Sequence, residues 1–433
     1  MPSENSAVQL GRRLRRLRTA RGLTQAQLAG SNYTHAYVST IEAGRRYPSA
    51  EALEHFAAAL GVGSDELVTG RPPGLSTRLE LRVQEARLLL SNGDRAESRA
   101  MLDQVLREAR RHRINTVEAL ALGVLGACDE YDGNLESAIE NYEKSEEVLA
   151  DEALPSKAYA VAGQARCHHM LGDVRYAIHL LESFLDRMER EGLRDPDALV
   201  RAYSPLVLAY FDAGLFEKAD ATASDALRLA NNVEDRGNVA AMHVNVARVL
   251  LHQGKYRQAE RSLRRAEDLY TELGYATETG VAHLARGYVL TRKGDLDRAE
   301  RHLLRAKGLL HGAKSKVNEA HALNELGRLY RLRGRLAAAK EILNDSIRIL
   351  RNDSDASALA WAFRELGTCA TRSDPLEAEK YYRRALRIYE RTGEAMELAS
   401  TYRLLGDLLT ERGDTVGACN AYRTGITKID ADV

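Results

Sequence analysis

Eight prolines, one tryptophan and 6% aromatic residues are few for a chain of 433 positions. With Ala, Leu, Arg and Glu recurring throughout, that scarcity argues against a sheet protein and for a nearly all-helical one. The four cysteines, Cys128, Cys167, Cys369 and Cys419, form no Cys-x-x-Cys pair. A disulfide framework or thiolate metal site is therefore not expected, and the chain reads as a reduced, cytoplasmic protein with packed thiols. No apolar run approaches the roughly 18 residues of a membrane helix, and Met1-Pro2-Ser3-Glu4-Asn5-Ser6 lacks the apolar segment of a secretory leader. Net charge is missing too, since 62 Lys+Arg balance 62 Asp+Glu. Apolar residues, at 44%, suffice for a buried core and exclude whole-chain disorder. At roughly 150 residues per domain the length allows two or three domains.

The zero charge conceals an uneven distribution. Between Val8 and Arg46 lie eight arginines (Arg12, Arg13, Arg15, Arg16, Arg18, Arg21, Arg45 and Arg46) against one acid, Glu42, so this segment carries +7 and the remainder −7. A basic segment on a slightly acidic body is the footprint of a head that displaces counterions from nucleic-acid phosphates. A solvated arginine-rich helix would give the same count, so the pattern within the segment has to decide.

Leu10, Leu14 and Leu17 recur at helical spacing, and Gly22 follows as a C-terminal cap. Thr24 caps a second helix, Gln25 to Ala29. After Gly30-Ser31-Asn32, Thr34 caps a third helix through Glu42, with Val38 and Ile41 inward. Gly44-Arg45-Arg46-Tyr47-Pro48 leads to Ser49, the cap of a fourth helix carrying Leu53, Phe56 and Leu60, and Ser64-Asp65-Glu66-Leu67 makes a last turn. The result is a compact five-helix unit.

In these motifs residues 8–69 resemble the helix-turn-helix domain of the lambda-repressor/XRE family. The likeness is carried by Leu10-Gly11-x-x-Leu14-Arg15-x-Leu17-Arg18, Gly22-Leu23-Thr24-Gln25, Leu28-Ala29, Tyr37-Val38-Ser39-x-Ile41-Glu42-x-Gly44-Arg45, Pro48-Ser49 and Leu60-Gly61-Val62, in the family's order. The resemblance implies a double-stranded DNA operator as partner, with the third helix in the major groove. His35, Ala36 and Thr40 would lie nearest base edges, Tyr37 at the flank, and Thr34 and Ser39 would complete the DNA-facing set. Gln25 and the amides of the second helix would meet a phosphate, as would Arg45 and Arg46. Glu42 matches the family's buried carboxylate and is expected to pair with Arg18. The connection from Leu28-Ala29 to Tyr37-Val38 is one residue shorter than the usual pattern, and Asn32-Tyr33-Thr34 replaces Gly-apolar-Ser. A tightened turn with Asn32 in a left-handed conformation is expected.

Gly70-Arg71-Pro72-Pro73-Gly74 breaks helical structure, so 1–7 reads as a flexible N-terminus, 70–75 as a linker and 76–433 as a second domain. That domain repeats. Turn positions Gly93, Gly133, Gly172, Gly214, Gly254, Gly294, Gly334, Ser373 and Gly413 stand 39 to 42 residues apart, each followed five residues later by Ser or Ala. Second helices read small-x-x-x-large-x-x-small, as in Ala299-x-x-x-Leu303-x-x-Ala306. First helices often place a small residue seven before the turn, such as Gly126, Ala247, Gly287, Gly327 and Gly406. Small residues at these heights let paired helices approach closely. The pattern resembles the tetratricopeptide repeat, about nine units stretched to about 40 residues. The extra length is expected in longer helices and in longer inter-repeat loops such as Glu191 to Pro196. The fold class is therefore all-α: a five-helix lambda-repressor-like head followed by a tetratricopeptide superhelical solenoid.

First helices should line a concave groove, to which Arg166, His169, Arg201, Phe211, Asn245, Arg248, His252, Tyr288, Asn324, Arg328, Trp361 and Arg364 are assigned. Arg87, Arg166, Arg248 and Arg328 recur at one height and suit carboxylates or an acidic peptide, while Asn245 and Asn324 suit a peptide backbone. Arginines neutralised by acidic neighbours are the competing reading. Catalytic chemistry has no signature. Gly61-Val62-Gly63 lacks a third glycine, and Gly312-Ala313-Lys314-Ser315 is not a phosphate loop. His168-His169 point apart on a helix and read as one packed and one groove-facing histidine, and Asp129-Glu130-Tyr131-Asp132-Gly133 lacks alternating calcium ligands. No enzyme activity, metal or cofactor is expected.

The domain order is similar to that of the RRNPP receptors for small signalling peptides. That resemblance implies a transcription regulator, a homodimer whose geometry follows the peptide or protein held in its groove. A scaffold for a partner protein and a small-molecule sensor are the alternatives.

Overall fold

In the computed structural model, which describes residues 4–350 and 355–430, every regular element is helical, with no strand among the described residues. The N-terminal helices are α1 (Glu4–Ala20), α2 (Gln25–Ala29), α3 (His35–Glu42), α4 (Ala50–Leu60) and α5 (Ser64–Thr69). Helix α1 begins inside the stretch expected to be a tail, so residues 4–7 are helical; Met1–Ser3 lie outside the described residues. Local chemistry sets the other boundaries. Gly22 takes a left-handed φ of 68°, and Leu23 N–H closes back onto the Arg18 carbonyl at 3.1 Å. Thr24 and Gln27 form a reciprocal capping box on α2. Thr34 and Ser49 cap α3 and α4 by accepting from Tyr37 N–H and Ala52 N–H. Leu10, Leu14, Leu28, Val38, Ile41 and Phe56 fill the core between these helices.

Between α2 and α3 the left-handed residue is Gly30 (φ 62°), not Asn32. Glycine takes that region without a Cβ penalty, and His55 occupies the space beside it, with Nε2 3.0 Å from the Ala29 carbonyl oxygen. The shortened connection thus turns two residues earlier than expected.

Residues 70–75 are held rather than loose. The Arg71 guanidinium donates to the carbonyls of His112 and Arg113, at 3.0 and 2.5 Å, capping a helix end that would otherwise lack partners. Nine helix pairs follow among the described residues. They are α6 (Leu75–Ser91) with α7 (Arg95–His112), α8 (Asn115–Asp132) with α9 (Leu135–Val148), α10 (Ala158–Met170) with α11 (Val174–Arg190), and α12 (Pro196–Asp212) with α13 (Phe216–Leu229). Next come α14 (Arg236–His252) with α15 (Tyr256–Glu272), α16 (Ala276–Lys293) with α17 (Leu296–Gly312), and α18 (Lys316–Leu332) with α19 (Leu336–Leu350). The last are α20 (Ala356–Ala370) with α21 (Pro375–Thr392) and α22 (Ala395–Glu411) with α23 (Thr415–Asp430). Two compact units result, one of residues up to Gln84 with Met101–Ala121, the other of Glu85–Ala100 with the chain from Leu122 onward.

The small residues predicted at the helix crossings sit where helices touch. A Cβ on Gly287 would stand 2.5 Å from Leu303 Cγ, and one on Gly327 2.5 Å from Leu343 Cγ. The added length of each repeat lies in the helices: α14, α15 and α17 have 17 residues and α16 has 18. Pro196, expected in a loop, is instead the first residue of α12, where its missing N–H costs nothing and Asp195 caps the helix.

Within the second unit the first turn of the solenoid is sealed by its own residues. Thr277 Oγ1 donates to the Ser91 carbonyl at 2.6 Å, Tyr131 Oη to Glu278 Oε1 at 2.6 Å, and Lys314 Nζ to Asp94 Oδ1 at 3.1 Å.

Candidate nucleic-acid interface and repeat groove

Helix α3 presents two faces. Val38 and Ile41 are fully buried, which turns His35, Ala36 and Ser39 to solvent and leaves Thr40 half-buried, its hydroxyl donating to the Ala36 carbonyl at 2.8 Å. Thr34 holds the helix start. Tyr37 stacks on Tyr33, centroids 5.3 Å apart, and Arg46 lies 5.0 Å over the Tyr37 ring, so a cation is fixed at the flank of the exposed face. Arg45 is exposed.

Glu42 sits underneath. It accepts from Arg18 Nε (2.6 Å) and Nη2 (2.9 Å) and from Gln25 Nε2 (2.9 Å). Burial opposes its charge, but those hydrogen bonds and the nearby arginines outweigh it and hold the carboxyl below its ordinary range. Gln25, assigned to a phosphate from sequence, here bonds Glu42. Not every arginine of the basic segment is available either. Arg13 donates to the carbonyls of Leu67 and Val68 at the end of α5, and Arg18 is locked to Glu42, leaving Arg12, Arg15, Arg16, Arg21, Arg45 and Arg46 exposed. Sequence counting could not separate these classes.

The groove is likewise divided. Arg166 is chelated by Glu130 at 3.0 and 2.9 Å, Arg201 bonds Asp235 at 2.5 Å, and His169 lies 2.9 Å from Asp212. Asn245 donates to the Ser204 carbonyl at 2.9 Å, and Arg364 pairs with Glu397. Arg328 stands 3.8 Å from Glu325. For Arg166 and Arg201 the competing reading, neutralisation by acidic neighbours, is what the structure contains. His168 packs edge-on against Tyr176, centroids 4.6 Å apart.

The other six assigned residues, Phe211, Arg248, His252, Tyr288, Asn324 and Trp361, line one cavity of about 880 Å³. His252 stacks on Phe216 at 4.4 Å, and Arg292 donates to Tyr288 Oη at 3.0 Å. Arg248 is exposed on the wall, with no acidic partner among the described residues. Beside Asn324, two more wall residues matter, Glu325 and Tyr389. Asn324 donates from Nδ2 to the Ala358 carbonyl at 3.0 Å, but its Oδ1, Glu325 Oε2 and Tyr389 Oη are buried without a hydrogen-bond partner. Burial pushes the Glu325 carboxyl up to about 7 against the opposing charge of Arg328. Sequence reading missed Glu325 and Tyr389. An acid between Asn324 and Leu326 on a buried helix was a usable signal, whereas Tyr389 comes from a second helix, α21, that was not expected to reach the groove.

The helix-turn-helix domain family matches residues 9–69, and the tetratricopeptide repeat family matches 199–272 and 278–352. The uncharacterized HTH-type transcriptional regulator y4dJ of Sinorhizobium fredii is 44% identical over 61 residues, 14% of this chain and 79% of that protein. Among solved structures, the apo form of the quorum sensor NprR from B. thuringiensis aligns with a TM-score of 0.55 at 13% identity, covering 82% of this chain and 99% of that one. The apo form of RapI gives 0.52 at 14% identity, over 63% and 98%. A Rap protein complexed with Competence and Sporulation Factor gives 0.50 at 14% identity, over 78% and 99%. At these identities the likeness is one of fold.

Proposed function

This chain belongs to the helix-turn-helix transcriptional regulators, and from that premise we propose that its repeat cavity binds a short signalling peptide whose occupancy sets the geometry of a homodimer on DNA. The observation that carries the reading is one aromatic-walled cavity whose wall residues Asn324 and Tyr389 hold buried polar atoms, Oδ1 and Oη, without a hydrogen-bond partner, and whose Glu325 Oε2 meets the Arg328 guanidinium only at 3.8 Å. A buried polar atom without a partner costs about 1 to 3 kcal/mol, and a ligand N–H supplies what Asn324 lacks. Arg248 offers an unpaired cation for a ligand carboxylate, and Trp361 and Tyr288 offer apolar faces. A zwitterionic, partly apolar peptide matches that combination. A quorum sensor and a factor-bound Rap protein among the fold relatives support it.

On the head, His35, Ala36, Ser39 and Thr40 would read bases, and Arg45 and Arg46 would hold phosphates. One short helix reads few base pairs, so two heads on paired half-sites would supply the specificity. The ligand would act by linkage, shifting DNA affinity only through its differential affinity for two dimer arrangements.

Trp361 is the chain's one tryptophan and lies on the cavity wall, so its fluorescence reports occupancy. Short peptides titrated into the full-length protein should change that emission and shift affinity for a labelled operator by about 5- to 150-fold. If peptides change neither signal, the peptide reading fails. The cavity volume also falls within the range of small-molecule sites, so a metabolite pool is the second titrant.

A further inference from the structure

Away from that cavity, three side chains from three helices converge. They are Glu267 on α15, His283 on α16 and His302 on α17, with one ligand atom of each within 4.8 Å of the others. His283 Nδ1 and His302 Nδ1 face each other at 2.8 Å, and a Glu267 carboxylate oxygen lies 3.6 Å from His283 Nδ1. Two ring nitrogens at that distance share one proton, so one of them is a bare acceptor. The cluster opens onto a cavity of about 610 Å³, separate from the peptide cavity, with Thr271, Tyr275 and Thr279 in its wall. A pair of histidines that merely packs needs neither a carboxylate nor a cavity beside it.

We propose that Glu267, His283 and His302 bind a divalent transition-metal ion of borderline softness, zinc foremost, with a further coordination position open to the cavity. Tetrahedral zinc with bonds near 2.0–2.1 Å places two imidazole nitrogens about 3.4 Å apart, so the rings need part by only about half an ångström. The proton now on one Nδ1 moves to Nε2 of the same ring. Both imidazoles stay neutral, both Nδ1 lone pairs become free, and no net proton leaves. Burial already favours the neutral ligand form, lowering both imidazoles below their ordinary value and His302 to about 4.

The surrounding charges narrow the choice of metal. Arg286 donates to Glu267 and lies 3.7 Å from Glu260, which fixes the carboxylate in place. Arg301 and Arg305 face the same cavity. With one carboxylate and several cations at hand, magnesium and calcium, which require many oxygen ligands, are disfavoured, whereas imidazole suits zinc.

The test titrates zinc chloride into full-length, chelator-stripped protein in competition with a chromophoric zinc indicator. One equivalent per chain, bound at micromolar affinity or tighter, is expected. Glu267→Gln should weaken it ten- to hundred-fold, and His283→Gln with His302→Gln should weaken it more. His311→Gln, an exposed histidine paired with Glu319, should not change it. No binding in that range, or binding unchanged in the double variant, overturns the site. Should the variants fail to fold, X-ray absorption of the zinc-loaded parent decides, because two-imidazole scattering supports the site and its absence refutes it. None of these readouts involves DNA or peptide.

Discussion

Arg18 grips Glu42 through two parallel hydrogen bonds, at 2.6 and 2.9 Å, and so ties α1 to the last residue of α3. The Arg18 Nη1 hydrogen also reaches the Leu23 carbonyl at 2.8 Å, which adds the α1–α2 turn to the same clamp. Both side chains are nearly buried, at 12% and 4% exposure, so removing either partner strands a charge.

Glu42→Gln should therefore destabilise the head by about 2 to 3 kcal/mol, seen as faster amide exchange in α1 and α3 of the full-length chain with the repeats unaffected. The pH dependence has a definite sign. Because the folded carboxyl titrates below its ordinary value, its contribution is complete above about pH 4.3 and is lost as pH falls through the folded value. Protection that persists unchanged in Glu42→Gln would contradict the clamp.

On a randomised operator library, His35→Ala and Ser39→Ala should alter base preference, whereas Arg45→Ala should weaken all sequences alike and reduce the salt slope by about one. For two heads making some 6 to 10 phosphate contacts the log–log slope should lie near −5 to −9. Unaltered preference in both α3 variants would remove that helix from base reading.

Two glycines predict opposite signs. Gly287 has no room for a Cβ against Leu303, so Gly287→Ala should cost about 1 to 3 kcal/mol through overpacking. Gly308 lies mid-helix in α17 with open space around it, so Gly308→Ala should stabilise by up to about 1 kcal/mol. Thermal unfolding of the two variants checks the pair.

In the peptide cavity, Tyr389→Phe deletes an unpartnered buried hydroxyl. It should leave the free protein as stable as the parent or up to about 1 kcal/mol more so, while weakening any ligand that bonds Tyr389 Oη. A matching loss of stability would show that the hydroxyl was satisfied after all.

Glu325 adds a pH test. Its carboxyl is raised to about 7, so its contribution to stability is complete below the ordinary carboxylate value and is lost as pH rises through 7. Glu325→Gln should remove that decline from the Tm-against-pH curve, and a variant that keeps the slope would refute the assignment.

The sequence by itself determined everything that depends on local periodicity. The caps Thr24, Thr34 and Ser49 mark where orphan N–H groups need an acceptor, and the 40-residue rhythm of turns and small residues records where helices must touch. Even the Arg18–Glu42 pair was legible, because a family motif fixes both residues. What only the tertiary structure decided is which polar groups find partners. Arg166 and Arg248 stand at the same height of their repeats, yet the first meets Glu130 and the second meets open cavity. Asn245 and Asn324 both donate from Nδ2 to a backbone carbonyl, yet Asn324 Oδ1 is buried without a partner. Burial and pairing depend on residues tens of positions away, brought together by the superhelix, and a repeat pattern specifies a residue's height without specifying its neighbours. The meeting of Glu267, His283 and His302 is of the same kind, since three helices had to stack before their ligand atoms could converge.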